Sequence, residues 1–179
     1  MKISVDNLLI YDIDMQFFAD RFTNQTGTNS ATHAVKTMED LKTALNNYNA
    51  VKFLEIALHG KPGTVFLNNQ TEIVGTYLNK ITTNPNFLQK NARILFDSCQ
   101  IGAGACGDKF MDSIGGGMLK GKGGIVGATT VDNASYPFFP WVRGAHLTSG
   151  GQLKVKKYDA DGKLVSELTV AGNGISSYL

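Results

Sequence analysis

Short apolar runs and longer segments with apolar residues at helical spacing follow each other along this chain. Four of the runs, over residues 3–11, 51–58, 92–98 and 125–128, are apolar at most of their positions. Such runs are typical of strands that are buried on both faces of a parallel sheet. The pattern therefore predicts four buried strands.

The segments between these runs predict helices and a loop. Three phenylalanines at helical spacing predict a helix over 15–22, and a polar loop over 23–32 follows it. Thr37 and Asp40 have the spacing of a capping box and begin a helix that runs to about residue 47. The other segments with helical character are 71–81, 85–90 and 108–119.

The alternation of strands and helices indicates an α/β fold. We expect a three-layer sandwich, with a mainly parallel sheet and helices on both of its faces. Residues 64–67 predict a short extended piece after a Lys-Pro-Gly break. Residues 152–158 and 163–170 alternate apolar and polar positions around an Asp-Ala-Asp-Gly turn, which predicts a C-terminal β-hairpin. This hairpin is expected to be an antiparallel addition to the sheet.

Length and composition narrow the class of protein. A chain of 179 residues with 42% hydrophobic and 18% charged residues is typical of one globular domain over 1–179. The net charge of +2, with scattered basic residues, favours neither nucleic acid nor membrane as a partner. The N-terminal segment has no long apolar stretch and predicts no signal peptide or membrane span. We expect a cytoplasmic protein, or a secreted effector without a cleavable signal peptide.

Two of the apolar runs end on residues with catalytic chemistry. His59 follows the run over 51–58, and Cys99 follows the run over 92–98. The carboxyl ends of neighbouring parallel strands meet at one edge of a sheet, so these two side chains are expected to lie side by side. Taken alone, Cys99 reads as a small buried residue and His59 as a hydrogen-bonded strand end. Together they predict a Cys-His dyad, in which the imidazole supports a thiolate nucleophile.

The residues around the predicted dyad suit an active site. Gly60 directly follows His59, and without a side chain its amide can point into the site. The turn after Cys99, residues 100–104, contains two glycines that let the backbone approach a substrate closely. Backbone amides in such turns can stabilise an oxyanion.

The sequences Ala-Leu-His-Gly at 57–60 and Phe-Asp-Ser-Cys-Gln-Ile-Gly at 96–102 resemble the motifs of the caspase-haemoglobinase superfamily (clan CD) of cysteine peptidases. In that superfamily one apolar strand ends in His-Gly, and a second ends in a short motif with the catalytic cysteine. The resemblance covers residues 51–130. It implies a caspase-like fold and a cysteine endopeptidase that acts on a peptide or protein substrate.

Carried over by position, the resemblance makes Cys99 the nucleophile and His59 the general acid-base residue. It implies that the backbone amides of Gly60 and Cys99 form the oxyanion hole. Relatives differ in their activation, and some need an ion, a small molecule, dimerisation or self-cleavage. No cofactor is expected, and the activator stays unassigned.

Two further residues are candidates for substrate binding. Asp97 is similar in position to the Asp of the metacaspase Asp-x-Cys motif, which implies selection of Arg or Lys at P1 through a charge-assisted pair. A solvated or capping carboxylate is the open alternative. Gln100 and the residues after it depart from the metacaspase pattern His-Ser-Gly, so the subfamily is unassigned. Trp141, in an aromatic loop over 136–141, is expected either to wall a binding pocket or to cap the core.

The sequence gives weaker support for a phosphate-binding or a metal-binding site. The segment 121–124 lacks the strand-to-helix context of a phosphate loop. The three histidines and two cysteines have no zinc-ligand spacing, so no metal is expected. Cys106 is interpreted as a helix-start residue, and a resolving thiol is the alternative. Two other functions stay open beside peptidase activity: an inactive caspase-like binding module, and a thiol acyltransferase or amidase that uses the same dyad.

Overall fold

A seven-stranded sheet lies at the centre of the fold. The computed structural model describes residues 2–68, 71–134, 146–147 and 152–171. Among these residues the helices are a short 3-10 helix (Ile13–Met15), α1 (Gln16–Thr26), α2 (Met38–Asn47), α3 (Gly75–Ile81) and α4 (Gly104–Gly117). None of these helices is both long and apolar enough to cross a bilayer.

The strands of the described residues are β1 (Ile3–Ser4), β2 (Asn7–Asp12), β3 (Ser30–Val35), β4 (Tyr48–Asn49), β5 (Val51–Ala57), β6 (His59–Lys61), β7 (Thr64–Leu67), β8 (Thr71–Ile73), β9 (Leu88–Phe96), β10 (Gly124–Thr129), β11 (Asn133–Ala134), β12 (His146–Leu147), β13 (Gln152–Tyr158) and β14 (Leu164–Ala171).

The large sheet has the order β14-β13-β10-β9-β5-β2-β3. The five strands from β10 to β3 are parallel. β13 pairs antiparallel with β10, and β14 pairs antiparallel with β13. After β3 the chain returns past β2 to form β5, so the direction of strand addition reverses between β2 and β5. Ligand-binding residues of open α/β sheets gather at the carboxyl ends of the strands near such a reversal.

Helices cover both faces of the sheet, as predicted. On one face Phe18 and Phe22 of α1 pack against Leu9, Tyr11 and Ala57. On the other face apolar residues of α2, α3 and α4 form the main core with the inward-facing residues of the strands. Alternate residues of β5 therefore face different layers, and this alternation decides where each of its side chains lies.

Several predicted elements are confirmed. Thr37 caps α2 through a complete capping box with Asp40, and α2 ends at Asn47. The extended piece over 64–67 is β7, and the C-terminal hairpin pairs as expected. The apolar runs over 51–58, 92–98 and 125–128 lie on β5, β9 and β10, while the run over 3–11 is divided between β1 and β2.

Three predicted elements are wrong in whole or in part. The loop over 23–32 contains the end of α1 and the start of β3, an edge strand whose side chains are mostly partly exposed. In the predicted helix over 71–81, residues 71–73 form β8 because they pair with β7, whereas Gly75–Ile81 form helix α3 as predicted. Residues 85–90 hold a turn and the start of β9, since Val51 pairs with Leu88 across the sheet. In each case pairing with another strand overrides the local pattern.

Candidate active site

The two predicted catalytic segments leave the sheet at the same edge. Strands β5 and β9 are parallel neighbours, with Ile56 opposite Phe96. The pairing continues past the end of β9, because the Asp97 N–H donates to the Ile56 carbonyl at 2.9 Å. His59 is three residues after Ile56, and Cys99 is three residues after Phe96. Both are partly exposed, so solvent and ligands can reach them.

Direct contact between the two segments occurs at Gly60. A Cβ atom built on Gly60 would lie 2.7 Å from the Cys99 carbonyl oxygen and 2.9 Å from the Ser98 Cβ. It would also lie 3.2 Å from the Cys99 backbone nitrogen. Only a glycine fits this approach, so the residue after His59 is packed against the backbone of the predicted nucleophile.

The β6–β7 hairpin sets the orientation of the Gly60 backbone. Lys61 pairs with Thr64 across the Pro-Gly turn, and Gly60 pairs with Val65. Hydrogen-bonded and non-hydrogen-bonded pairs alternate in an antiparallel ladder, and the pair that flanks a two-residue turn is hydrogen-bonded. The Gly60 N–H and C=O therefore point away from β7, which leaves the amide outside the ladder.

The turn after Cys99 is fixed at several points. Gln100 has a φ of 53°, in the left-handed region that a residue with a side chain adopts only when its surroundings enforce it. Its N–H donates to the Val131 carbonyl at 2.9 Å, and its side-chain amide donates to Asp132 Oδ1 at 2.8 Å. Gly102 N–H donates to the Thr129 carbonyl at 2.8 Å. The end of β10 thus holds the turn that carries Cys99.

Ser98 adds a second tie to the same strand. The Thr129 hydroxyl donates to the Ser98 carbonyl, and both residues are buried. The Ser98 hydroxyl itself is buried without a hydrogen-bond partner among the described residues. The backbone on each side of Cys99 is therefore anchored, while Cys99 itself is partly exposed.

Asp97 lies inside the protein, beneath the turn. Its side chain is 0% exposed, and its Oδ2 atom is 3.0 Å from Arg21 Nη2 of α1. The same guanidinium nitrogen forms an ion pair with Glu55 of β5. Burial raises the pKa of Asp97, and the positive charge of Arg21 opposes this effect. The alternative of a solvated carboxylate is wrong, and the role of Asp97 in P1 selection stays a prediction.

Comparison with known protein families identifies the family of this chain. Residues 13–118 match the family described as a domain of unknown function, DUF4347. The chain belongs to this family. The match runs from the 3-10 helix through α4 of the DUF4347 domain, so it includes both His59 and Cys99. No curated protein matches this chain.

Two residues near the candidate site of the DUF4347 domain were not predicted from the sequence. Arg21 and Glu55 are buried charges that converge on Asp97 from α1 and β5. Glu55 carried a readable signal, because it is a single acidic residue within an otherwise apolar strand over 53–58. A charge in such a strand needs a buried partner. Nothing in the sequence identified Arg21 as that partner.

The remaining predicted residues lie apart from the site or outside the described part of the chain. Trp141 and the aromatic loop over 136–141 lie outside the described residues. Cys106 is exposed on the first turn of α4, as expected of a helix-start residue. In the part of the chain that the structure describes, no three His, Cys, Asp or Glu side chains form a group that could hold a metal ion.

Proposed function

We propose that the DUF4347 domain is a cysteine endopeptidase with a caspase-like fold, which hydrolyses peptide bonds with Cys99 and His59. The contact of Gly60 with Ser98 and Cys99 carries the proposal, because it joins the two motifs on which the resemblance rests. Their origin on adjacent parallel strands supports it further, since reactive side chains of α/β sheets lie at this edge.

The proposed reaction has two stages. His59 accepts the proton of the Cys99 thiol, and the thiolate sulfur attacks the carbonyl carbon of the scissile peptide. The amides of Gly60 and Cys99 donate to the oxyanion that forms. The C–N bond then breaks, and His59 gives its proton to the leaving amine. In the second stage a water molecule attacks the thioester while His59 accepts a proton, which releases the carboxylate product and regenerates the thiol.

Cleavage after basic residues is a separate part of the proposal and depends on Asp97. Arg21 holds the Asp97 carboxylate inside the protein at 3.0 Å. Because the Asp97 side chain is fully buried, a substrate Arg or Lys can pair with this carboxylate only after a rearrangement that exposes it. P1 preference is therefore tested independently of the dyad.

Active-site labelling tests the proposal. We expect peptidyl acyloxymethyl ketones to alkylate Cys99 in the wild-type protein and not in Cys99→Ala. Removal of the base in His59→Ala should slow labelling by about 100-fold or more. The exposed Cys106 provides the matched control, and Cys106→Ala should be labelled at the wild-type rate. Peptide mapping by mass spectrometry identifies the modified residue.

Each outcome of this experiment decides between functions. Labelling at an unchanged rate in His59→Ala would contradict the dyad. Labelling without cleavage of a peptide library, but with acyl transfer or deamidation, would favour an acyltransferase or amidase. No labelling by probes with Arg, Asp or Leu at P1, with and without calcium, would favour an inactive binding module. Preference for the Arg probe would support the role of Asp97.

A further inference from the structure

Three charged side chains from three different elements meet beneath the Cys99 turn. Arg21 comes from α1, Glu55 from the middle of β5 and Asp97 from the residue after β9. Their side chains are 11%, 6% and 0% exposed, respectively. Charged groups are costly to bury, so a cluster of this kind must be paired and hydrogen-bonded.

Both carboxyl groups of the cluster bond to the same guanidinium nitrogen, Nη2 of Arg21. Because one nitrogen bonds to both, the two carboxyl groups are close neighbours inside the protein. Two buried carboxylates this close repel each other when both are ionised, and a hydrogen bond between them requires a proton on one of them. Such a pair shares one proton and titrates as a unit.

The surroundings of Glu55 favour the protonated form. Leu9 of β2 and Leu95 of β9 lie beside it in the sheet register. Among the described residues, the charged groups that face Glu55 include Arg21 of α1 and Asp97. Arg93 of β9 lies over the ring of Phe53, which is two positions before Glu55. Burial raises the pKa of Glu55 to about 7, although Arg21 opposes this effect.

We propose that Glu55 and Asp97 share a proton that holds the Cys99 turn in place, so that loss of this proton at neutral to alkaline pH makes Cys99 less reactive. The inference rests on the proposed function, because it treats Cys99 as the nucleophile. Arg21 and Glu55 act as positioning residues, through Asp97, which lies two residues before Cys99 in the chain. When both carboxyl groups are ionised they repel each other, and this repulsion acts on the base of the turn.

Glu55→Gln imitates the protonated state. Its side-chain amide keeps a donor toward Asp97 and an acceptor toward Arg21, and it cannot ionise. In a Cys106→Ser background, which leaves Cys99 as the one thiol of the chain, we measure the rate of Cys99 alkylation by iodoacetamide from pH 5 to 9. We expect equal rates for the two proteins below pH 6. At pH 8.5 Cys99 of Glu55→Gln should be alkylated at least about fivefold faster than Cys99 of the wild-type protein. A fivefold effect is at the lower end of the range usually found for coupling between two sites in a protein.

Matched controls separate this effect from a loss of folding. Glu72→Gln makes the same chemical change at an exposed position and should follow the wild-type profile. Superimposable profiles of wild type and folded Glu55→Gln would overturn the inference. If Glu55→Gln does not fold, the wild-type protein labelled with carboxyl-13C glutamate gives the answer, because the chain has four glutamates. Titration of all four at ordinary acidic pH would then overturn it.

Failure of the proposed function gives a different result. If the dyad is absent, His59→Ala leaves the alkylation rate of Cys99 unchanged, whereas the titration of Glu55 near neutral pH persists. If the dyad exists without a shared proton, His59→Ala slows alkylation and Glu55→Gln leaves the profile as it is. The two hypotheses are therefore distinguished by one series of variants.

Discussion

At Gly60 two chain segments approach so closely that a hydrogen is the only side chain that fits. The atoms in the way are backbone and Cβ atoms of Ser98 and Cys99, which cannot rotate aside. The hydrogen bonds of Gln100 and Gly102 to the end of β10 prevent the Cys99 turn from moving as a unit. A single methyl group at this position should therefore displace the very atoms that the proposed reaction uses.

We predict that Gly60→Ala lowers the rate of Cys99 labelling by about tenfold or more, since misplacement of reacting groups by an ångström has effects of this size. Overpacking should also lower the free energy of unfolding by about 1–3 kcal/mol. Labelling kinetics and urea unfolding measure the two effects. Gly116→Ala is the control, because the nearest atom to its Cβ is 3.9 Å away and it lies in α4. Wild-type labelling by Gly60→Ala would contradict the contact.

At the scale of an element, the N-terminus of α2 is defined by residues that are neighbours in the chain and does not depend on tertiary contacts. The Thr37 hydroxyl accepts from the Asp40 N–H, and the Asp40 carboxylate accepts from the Thr37 N–H at 2.9 Å. The Lys36 backbone N–H, which also donates to the Asp40 carboxylate, lowers the pKa of Asp40 most, and the Thr37 hydroxyl and backbone N–H lower it further. The capping box is encoded within four residues, which is why it could be predicted from sequence.

Removal of this cap should destabilise the whole fold through α2. We predict that Thr37→Ala lowers the free energy of unfolding by about 1 kcal/mol, because the Asp40 N–H loses its acceptor. Thr43→Ala, a replacement in the interior of the same helix, should be neutral or slightly stabilising, since alanine has the higher helix propensity. Urea unfolding monitored by circular dichroism measures both. Equal losses in the two variants would contradict a specific capping effect.

Elements that are defined by pairing with another strand could not be predicted in the same way. β3 is an edge strand with a mixed polar pattern, and its parallel pairing with β2 defines it. β8 lies directly before α3, and only its pairing with β7 separates it from the helix. Propensity and periodicity contain no information on such pairing. Strands with long apolar runs can therefore be predicted from a single sequence, whereas strands with few apolar residues are missed.

At the scale of the whole molecule, the sheet explains why part of the site was predictable. His59 and Cys99 follow strong apolar runs, and parallel strands bring their carboxyl ends to one edge whatever lies between them. The partners of Asp97 depend instead on which helix covers which face of the sheet. Arg21 reaches Asp97 because α1 packs on the face to which Glu55 and Asp97 point. That packing is decided by the assembled fold.

The buried cluster also makes the stability of the whole molecule depend on pH. The pKa of Glu55 rises from 4.5 to about 7 in the folded state, so between these values the folded protein binds the extra proton and the unfolded chain does not. The stabilising contribution of Glu55 is therefore fully present below pH 4.5 and is lost as pH rises toward 7, by at most about 3 kcal/mol. We predict that Glu55→Gln removes most of this fall in urea-unfolding midpoints measured from pH 4.5 to 8. Glu72→Gln should retain it, and an unchanged fall in Glu55→Gln would show that another group is responsible.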